Sequence, residues 1–287
     1  MDFRLSDEQR GFGDAITDLM KAADSVAVAR SWAAGDTAGG VALWKRLADL
    51  GVTALVVPED DGGLGGSLVD MVVAFEALGH ELAVGPWIES AALLPQVDGA
   101  MVTAAVPGIA PYAVDADVAR LASGTVGASH ASVDTTRRLA DVEGAEVLDT
   151  DAIDRAILAC AAELLGAGER LLEDSVDYAK QRAQYGRLIG SYQAIKHQLA
   201  DVRIALDFAR PLVYGAALGE TPASAAKLAA SEAAYQAARV GLQVHGAIGY
   251  TAEFDLGLWI LRVRALVSAW GTPSYHRARL GELLAGA

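Results

Sequence analysis

The sequence predicts a mostly α-helical protein with an N-terminal helical domain, a reduced β segment and a C-terminal four-helix bundle. Apolar residues recur at helical spacing through most of residues 1–95 and 151–287. Residues 96–150 instead carry short β-like runs separated by Gly, Pro and Asp. The composition, 53% hydrophobic but only 6% aromatic and rich in alanine, suits closely packed helices, because alanine loses no side-chain entropy in a helix. These three ranges are the predicted domains.

The N-terminal domain is predicted to begin with a capped helix. Ser6 and Gln9 form a capping-box pattern, and helical spacing continues to about Asp24. Gly51 is predicted to stop a second helix. The remaining predicted elements are a helix over 32–50, an extended run over 52–57, a tight loop over 58–66 and an amphipathic helix over 68–82.

The remaining chain is predicted to form a small sheet followed by long helices. The β-like runs are 101–106, 113–115 and 145–148, enough for a sheet supported by its neighbours. Four long helices are predicted over 157–181, 192–218, 222–244 and 254–268, with a final short one over 273–285. Pro211 should kink or divide the second of these long helices.

Charge and cysteine content narrow the functional class. The formal net charge of −14 argues against nucleic acid, which needs a basic face. Cys160 is the single cysteine, so no internal disulfide can form, which fits a reducing compartment. The opening residues lack a signal-peptide pattern, and no apolar run reaches the length of a membrane span. We expect a cytoplasmic protein that binds neither nucleic acid nor membranes.

Three motifs occur in order along the chain. The first is the Gly-rich loop 58–65, followed by the Phe-Glu-Ala-Leu-Gly segment 75–79. The second is Arg-Ala-Gln-Tyr-Gly at 182–186, followed by six residues and then Gln193, and the third is Gln-Val-His-Gly-Ala-Ile-Gly-Tyr at 243–250. Together the three motifs resemble those of the acyl-CoA dehydrogenase family, whose members bind FAD. The middle third of the chain matches that family only in fragments, chiefly 134–138.

The resemblance implies two groups of FAD-binding residues, and the first group belongs to the second motif. Arg182 would pair with the pyrophosphate, since its guanidinium is a planar fork of donors. Gln184 and Tyr185 would contact the ribityl chain or the ring edge, and Gln193 the adenine side. Each has a simpler alternative: a surface salt bridge for Arg182, core packing for Tyr185 and an exposed helical glutamine for Gln193.

The third motif implies the second group of FAD-binding residues. In the family this loop approaches a flavin held mainly by a neighbouring subunit, so Gln243 and Gly246 are predicted cofactor-binding residues, and Thr272 is a further one. Glycine lets backbone N–H groups come close to a phosphate. Alternatively, Gly246 only ends one helix, and His245 is a hydrogen-bonded residue of that helix end.

The catalytic base is missing from its usual place. Dehydrogenation needs a group that takes the proton from the carbon α to the thioester. In much of the family a glutamate before a Gly-Thr pair does this, but here Trp270 precedes Gly-Thr and cannot accept a proton. Some relatives carry the glutamate on the first C-terminal helix, where Asp154, Glu163 and Glu169 lie, and a partnership with a neighbouring arginine is the alternative for such an acid. Glu163 is the first suspect, but no catalytic residue is assigned.

The resemblance therefore implies a shortened subunit that contributes FAD-binding residues while a partner supplies the base. The middle segment also lacks the family's Thr-Glu-Pro-x-x-Gly-Ser motif and tryptophan strand. The expected partner is a full-length acyl-CoA dehydrogenase-like chain in an α2β2 complex. The expected substrate is an acyl-CoA, for which the resemblance suggests a steroid-derived one, and the expected acceptor is an electron-transfer flavoprotein or a similar protein. The alternatives are a homomeric enzyme with Glu163 as its base and a flavin-free scaffold in which Trp270 plugs the old pocket.

Overall fold

A capping box starts the first helix of the N-terminal region. In the structure, a computed structural model that describes residues 3–146, 148–251 and 254–286, helix α1 spans Asp7–Ala22. The hydroxyl of Ser6 accepts from the backbone N–H of Gln9, and the Gln9 side chain accepts from the Ser6 N–H, at 3.1 and 3.0 Å. Two of the orphan donors at the helix start are thus satisfied. The predicted capping box is confirmed.

The helix predicted over 32–50 is confirmed from Ala38 to Asp49, but its predicted start is wrong, because a separate helix ends at Ala33. Helix α2 spans Ser25–Ala33 and helix α3 spans Ala38–Asp49. Gly35 takes a left-handed conformation between them, with φ of 91°, and so ends α2. The side chain of Asp24 accepts from the Ala27 N–H and sets the start of α2.

The extended run predicted over 52–57 is also wrong. Val52–Ala54 form a turn of 3₁₀-helix, and these residues are buried. The carbonyls that a neighbouring strand would have used accept instead from the Gly-rich loop. The Leu64 and Gly66 N–H groups donate to Ala54 and Leu55 at 3.1 and 2.7 Å. The loop thus replaces a partner strand and satisfies this buried backbone.

Helix α4 spans Leu68–His80, two residues short of its predicted end, and lies against the C-terminal region. A buried π-helix, which no sequence pattern predicts, follows at Ile88–Leu93. The Leu94 N–H donates to the Glu89 carbonyl at 2.9 Å, the five-residue spacing that defines this helix type. Ser90 fixes the segment by donating to the Val102 carbonyl and accepting from the Val102 N–H, at 2.6 and 2.8 Å.

The middle segment holds two small sheets. Strand β1 pairs in parallel with β3, and antiparallel β5 lies between β2 and β4. The strand predicted over 145–148 is wrong for Ala145, Glu146 and Leu148, while Val147 lies outside the described residues. Strand β4 is exposed throughout, so it has no alternating apolar pattern to predict it. The strands are β1 Val102–Thr103, β2 Tyr112–Val114, β3 Arg120–Leu121, β4 Thr125–His130 and β5 Leu139–Glu143.

The predicted C-terminal helices are confirmed. They are α5 Thr150–Gln181, α6 Gln193–Ala217, α7 Ala223–His245, α8 Leu256–Ser268 and α9 Pro273–Ala285. Pro211 lies inside α6 but does not divide it. Helices α4 and α5 cross at Gly79 and Gly166. A Cβ added at these glycines would lie 2.1 Å and 2.0 Å from the facing backbone, so the close crossing needs glycine at both positions. Among the described residues, no helix combines the length and apolarity needed to cross a membrane.

Candidate functional site

The loop between α8 and α9 holds Trp270 in an unusual conformation. Trp270 and Gly271 both have positive φ angles, 55° and 95°. A non-glycine residue in this region stores strain, which packing around it must offset. His276 does so, since its Nε2 lies 3.0 Å from the Trp270 carbonyl and its Nδ1 lies 3.0 Å from the Ser224 hydroxyl. Burial lowers the pKa of His276 to about 4, so the imidazole is neutral and its Nε2–H donates to the carbonyl.

A cavity of about 660 Å³ opens beside this loop. Its walls come from three parts of the chain: the π-helix, the middle β segment and the α8–α9 loop. The Gly271 N–H donates to the Ile109 carbonyl at 3.1 Å and ties two of these walls together. Residues that define its chemistry include Glu89, Ile109, Tyr112, Arg137, Trp270 and Thr272.

Trp270 itself is fully buried in the cavity wall. Its indole Nε1 makes no hydrogen bond with any described atom, although buried polar groups normally have a partner. Thr272 is exposed and has a structural partner, since its hydroxyl accepts from the Tyr275 N–H at 3.2 Å as the N-cap of α9. The indole is therefore a free donor, whereas the threonine hydroxyl already has a capping function.

Glu89 is a second polar group in this cavity, and it was not predicted from the sequence. It is only 3% exposed, and burial raises the pKa of its carboxyl to about 7, although the Arg137 guanidinium acts in the opposite direction. It lies on the π-helix, a helix type often found at functional sites. The signal available in the sequence is a lone acid inside the apolar run 87–94.

Glu163, the first suspect for a relocated base, lies in a closed ionic network instead. Its carboxylate accepts from the Arg262 guanidinium at 2.7 Å, and Arg262 also donates to Asp134 at 2.6 Å. The void beside Glu163 is about 10 Å³, barely the volume a single water needs. Glu163 is not among the described residues that line the Trp270 cavity.

The other two acids on α5 are paired as well. Asp154 accepts from Arg279, and Glu169 accepts from Arg203 and Arg210 at 2.6 and 2.9 Å. The guanidinium groups lower the pKa of Glu169 against the opposing effect of burial. For the three acids named from the sequence, the structure thus shows the arginine partnership that was the alternative to catalysis.

Arg182, Gln184 and Tyr185 lie together on an exposed hairpin after α5. Strands β6 Ala183–Gln184 and β7 Arg187–Leu188 pair around a tight turn whose first residue, Tyr185, has φ of 52°. Tyr185 is 92% exposed, so the core-packing alternative is wrong. The exposed Arg182 guanidinium forms no ion pair with the described residues, so the surface salt bridge is absent among them.

Gln243 and Gly246 line a surface groove of about 760 Å³ at the end of α7. Gly246 has φ of 64°, and an added Cβ there would meet nothing within 4 Å. His245 behind it donates from Nδ1–H to the Gly241 carbonyl at 2.8 Å and stacks on Tyr178, which supports the helix-end alternative. Its Nε2 has no partner among described atoms.

The predicted cofactor residues therefore lie in separate places. The 182–185 hairpin and Gln193 border neither cavity, Gln243 and Gly246 share the groove, and Thr272 lines the Trp270 cavity. Gln193 is exposed at the first position of α6. Within one chain they do not form a single enclosed site.

Comparison with known proteins identifies the family. The N-terminal domain of acyl-CoA dehydrogenases matches residues 6–98, and their C-terminal domain matches residues 142–285. The chain belongs to the acyl-CoA dehydrogenase family. The resemblance and the mostly α-helical acyl-CoA dehydrogenase fold that it implied are confirmed, and so is the oxidoreductase class. FAD is the cofactor that membership of this family implies.

Similar proteins include mycobacterial ones. Acyl-CoA dehydrogenase IpdE2 of Mycobacterium tuberculosis is 33% identical over 308 residues, covering 96% of this chain and 96% of its own. The ChsE4–ChsE5 complex from Mycobacterium tuberculosis superposes with a TM-score of 0.82 at 24% identity, covering 100% of both chains. A variant of the Tcur3481–Tcur3483 steroid acyl-CoA dehydrogenase gives 0.76 at 23% identity, covering 96% of this chain and 99% of the other. The two structures show a shared fold.

Proposed function

We propose that this chain is a base-lacking subunit of a flavin-dependent acyl-CoA dehydrogenase and that a full-length family member supplies the catalytic glutamate. The reaction is α,β-dehydrogenation of an acyl-CoA thioester. FAD, when bound, accepts the hydride that leaves the β carbon. The observation that carries the proposal is Trp270, fully buried at the position where the family's base usually stands.

Trp270 cannot take the α proton, because its indole nitrogen carries a hydrogen and has no basic lone pair. The relocated base Glu163 is held by Arg262 and does not border the cavity. Among the described residues, Glu89 is the one carboxyl that lines it. A chain that turned over alone would therefore need Glu89, and this is the second candidate: a homomeric enzyme whose base lies on the π-helix.

The free donors on the surface fit a dinucleotide. Arg182 has no ion pair among the described residues, so its guanidinium is available to a pyrophosphate. Gln184 and Tyr185 would hold the ribityl chain or ring edge beside it. Gln193 and Gln243 present exposed amides suited to the adenine end, and the open left-handed Gly246 lets backbone come close to it.

Exposure of these residues supports a shared site. A flavin held only by surface groups would remain in water, whereas cofactor sites usually bury most of their ligand. Large apolar side chains on the hairpin and on α6 are also exposed, including Leu188 at 47%, Ile204 at 52% and Phe208 at 75%. Exposed apolar surface of this kind is compatible with a partner chain. We infer an α2β2 assembly with one FAD per pair of unlike chains.

The substrate and acceptor follow from the same comparison. A similar structure is that of a steroid acyl-CoA dehydrogenase, so we propose a bulky, steroid-derived acyl-CoA as the substrate. The reduced flavin would then pass its electrons to an electron-transfer flavoprotein. A cytoplasmic location is consistent with these soluble reactants.

The test is the visible absorption spectrum of the purified chain, alone and co-expressed with a full-length family member. We expect flavin bands only in the complex, with about one FAD per pair. Arg182→Ala should strongly reduce the flavin that the complex retains. The matched control Arg187→Ala, on the same hairpin but packed over Tyr192 at 3.9 Å, should retain it. Stoichiometric flavin and turnover in the chain alone would overturn the shared site and favour Glu89 as a base, and a complex without flavin would favour the scaffold.

A further inference from the structure

The cavity beside Trp270 has one charged group that the protein itself does not pair. The half-buried Arg137 guanidinium makes no hydrogen bond or ion pair with the described residues. The Trp270 indole N–H also lacks a partner among them, but it has no accessible surface and so does not face a molecule in the cavity. A charge that lies partly out of water is costly unless something pairs with it. The unpaired arginine on the cavity wall therefore indicates a ligand that carries an anionic acceptor.

The remaining walls indicate what else that ligand contains. Most of the lining is apolar or aromatic, including Ile109, Tyr112, Val114 and Leu139. A volume of about 660 Å³ is in the range of small-molecule sites, which combine apolar walls with a few placed polar groups. A purely ionic ligand such as phosphate would leave most of this surface unfilled.

We propose that this cavity binds an apolar molecule bearing one carboxylate, which accepts from the Arg137 guanidinium. A guanidinium matches a carboxylate with two parallel hydrogen bonds. Arg264, the other arginine on the lining, is exposed and packs over Tyr235 at 5.7 Å, so Arg137 is the better candidate. The proposal places this ligand in the cavity that the proposed function also uses, but binding needs neither a base nor a bound FAD and can therefore be tested separately.

An ionised Glu89 would oppose an anion, but its surroundings favour the neutral form. Burial raises its pKa to about 7, and the nearby charges of Glu163 and Asp115 act in the same direction, against Arg137. Arg262, which lines the small void next to Glu89, is neutralised by Glu163 and Asp134. A protonated Glu89 can donate to a carboxylate, so binding should be tighter at pH 6 than at pH 8.

The carboxylate could belong to a free acid or to the far end of an acyl group on coenzyme A. Three probes of equal chain length separate these sources. Decanoate has a free carboxylate, decanol has none, and decanoyl-CoA has lost its carboxylate to the thioester. A fourth, the CoA monothioester of decanedioic acid, carries both a thioester and a distal carboxylate.

The experiment is isothermal titration calorimetry on the full-length chain at pH 6 and pH 8. We expect decanoate to bind at least 10-fold more tightly than decanol, because a charge-assisted hydrogen bond contributes at least that factor. Arg137→Gln should abolish this preference and leave decanol binding unchanged. Arg120→Gln, an arginine of the same β segment outside the cavity, is the matched control and should have no effect. Tighter binding of the decanedioic monothioester than of decanoate would assign the carboxylate to an acyl-CoA.

Other outcomes contradict the proposal. Equal affinity for decanoate and decanol, no binding of either, or a carboxylate preference that survives Arg137→Gln would each overturn it. Decanoyl-CoA as the tightest of all four probes would mean that the cavity is an ordinary thioester site.

Glu89→Gln, which keeps the shape of the side chain, should remove the pH dependence of decanoate binding. Circular dichroism checks that each variant retains its helices.

Discussion

Glu163 and Glu89 are both almost completely buried, at 6% and 3% exposure, yet their surroundings are opposite. Glu163 belongs to a closed network in which Arg262 donates to two carboxylates and to the Thr136 hydroxyl. Glu89 lines a cavity of about 660 Å³ and makes no ion pair with the described residues. The comparison shows that burial of an acid does not by itself indicate chemistry. What separates the two is whether the protein already supplies their partners.

The closed network also explains how the middle segment is held. Asp134 belongs to that segment, Glu163 to α5 and Arg262 to α8, so one arginine joins three parts of the chain. Arg262 additionally donates to the Ala83 carbonyl at 2.9 Å, between α4 and the π-helix. A network in which every member is satisfied is a structural device, and losing its centre would leave two buried charges unpaired.

The largest effect should come from breaking the closed network. Arg262→Met leaves Glu163 and Asp134 without their counter-charge, and we expect a loss of about 3–5 kcal/mol in the free energy of unfolding. Urea denaturation followed by circular dichroism measures it. Arg264→Met, two residues along the same helix but exposed, should change stability by about 0.5 kcal/mol or less. A cost for Arg262→Met no larger than that of the control would contradict the structural role.

An effect of intermediate size is expected at Glu89, where the substitution should stabilise the protein rather than destabilise it. Its folded-state pKa, about 7, is above the ordinary value of 4.5, so the folded protein holds this proton more tightly. The stability that this bound proton contributes is fully present below pH 4.5 and is lost as the pH rises through 7. Glu89→Gln should therefore stabilise the protein by roughly 1–3 kcal/mol at pH 8 and leave it nearly unchanged at pH 4.5.

The pH series of denaturation curves for this variant and the parent provides the check. Glu163→Gln is the comparison within the closed network. This substitution should destabilise the protein by about 1–3 kcal/mol at neutral pH, since Arg262 loses one of its two carboxylate partners. If both substitutions changed stability in the same direction at pH 8, the contrast between the two acids would be refuted.

The smallest effect concerns the loop that borders the cavity. Thr272→Ala removes the N-cap of α9 and should cost about 1 kcal/mol. Thr272→Ser keeps the hydroxyl and should recover most of that loss, as measured by the thermal midpoint. Because the threonine is exposed and already bonded to the Tyr275 N–H, neither change should alter carboxylate binding in the cavity. A large change in binding would instead place Thr272 in the site.

Helices were predictable because their signals are local. The capping box at Ser6, the start of α9 after Thr272 and the long apolar repeats of α5 to α7 each depend on residues within a few turns. The two errors near the N-terminus have a non-local cause. Carbonyls in the 52–57 run are bonded by the Gly-rich loop, and α2 is separated from α3 by a left-handed Gly35.

The candidate site was less predictable. Three motifs in order, among them the 182–186 segment, identified the family, and Trp270 before a Gly-Thr pair marked the departure from it. Glu163 was named from the sequence and Glu89 was not singled out, although both are acids within apolar runs. The arginine that neutralises Glu163 is 99 residues away in the chain, and no local pattern links the two.

By itself the sequence determined the helical class, the long C-terminal helices and the family, because periodicity, caps and motif order are properties of the chain. Only the tertiary structure decided which buried acid is paired, which donors stay free and which predicted cofactor residues share a surface. The physical reason is that the free energy of a buried charge depends on its partners in space. Those partners come from elements far apart in sequence and meet only when α4, α5, α8 and the middle segment pack together.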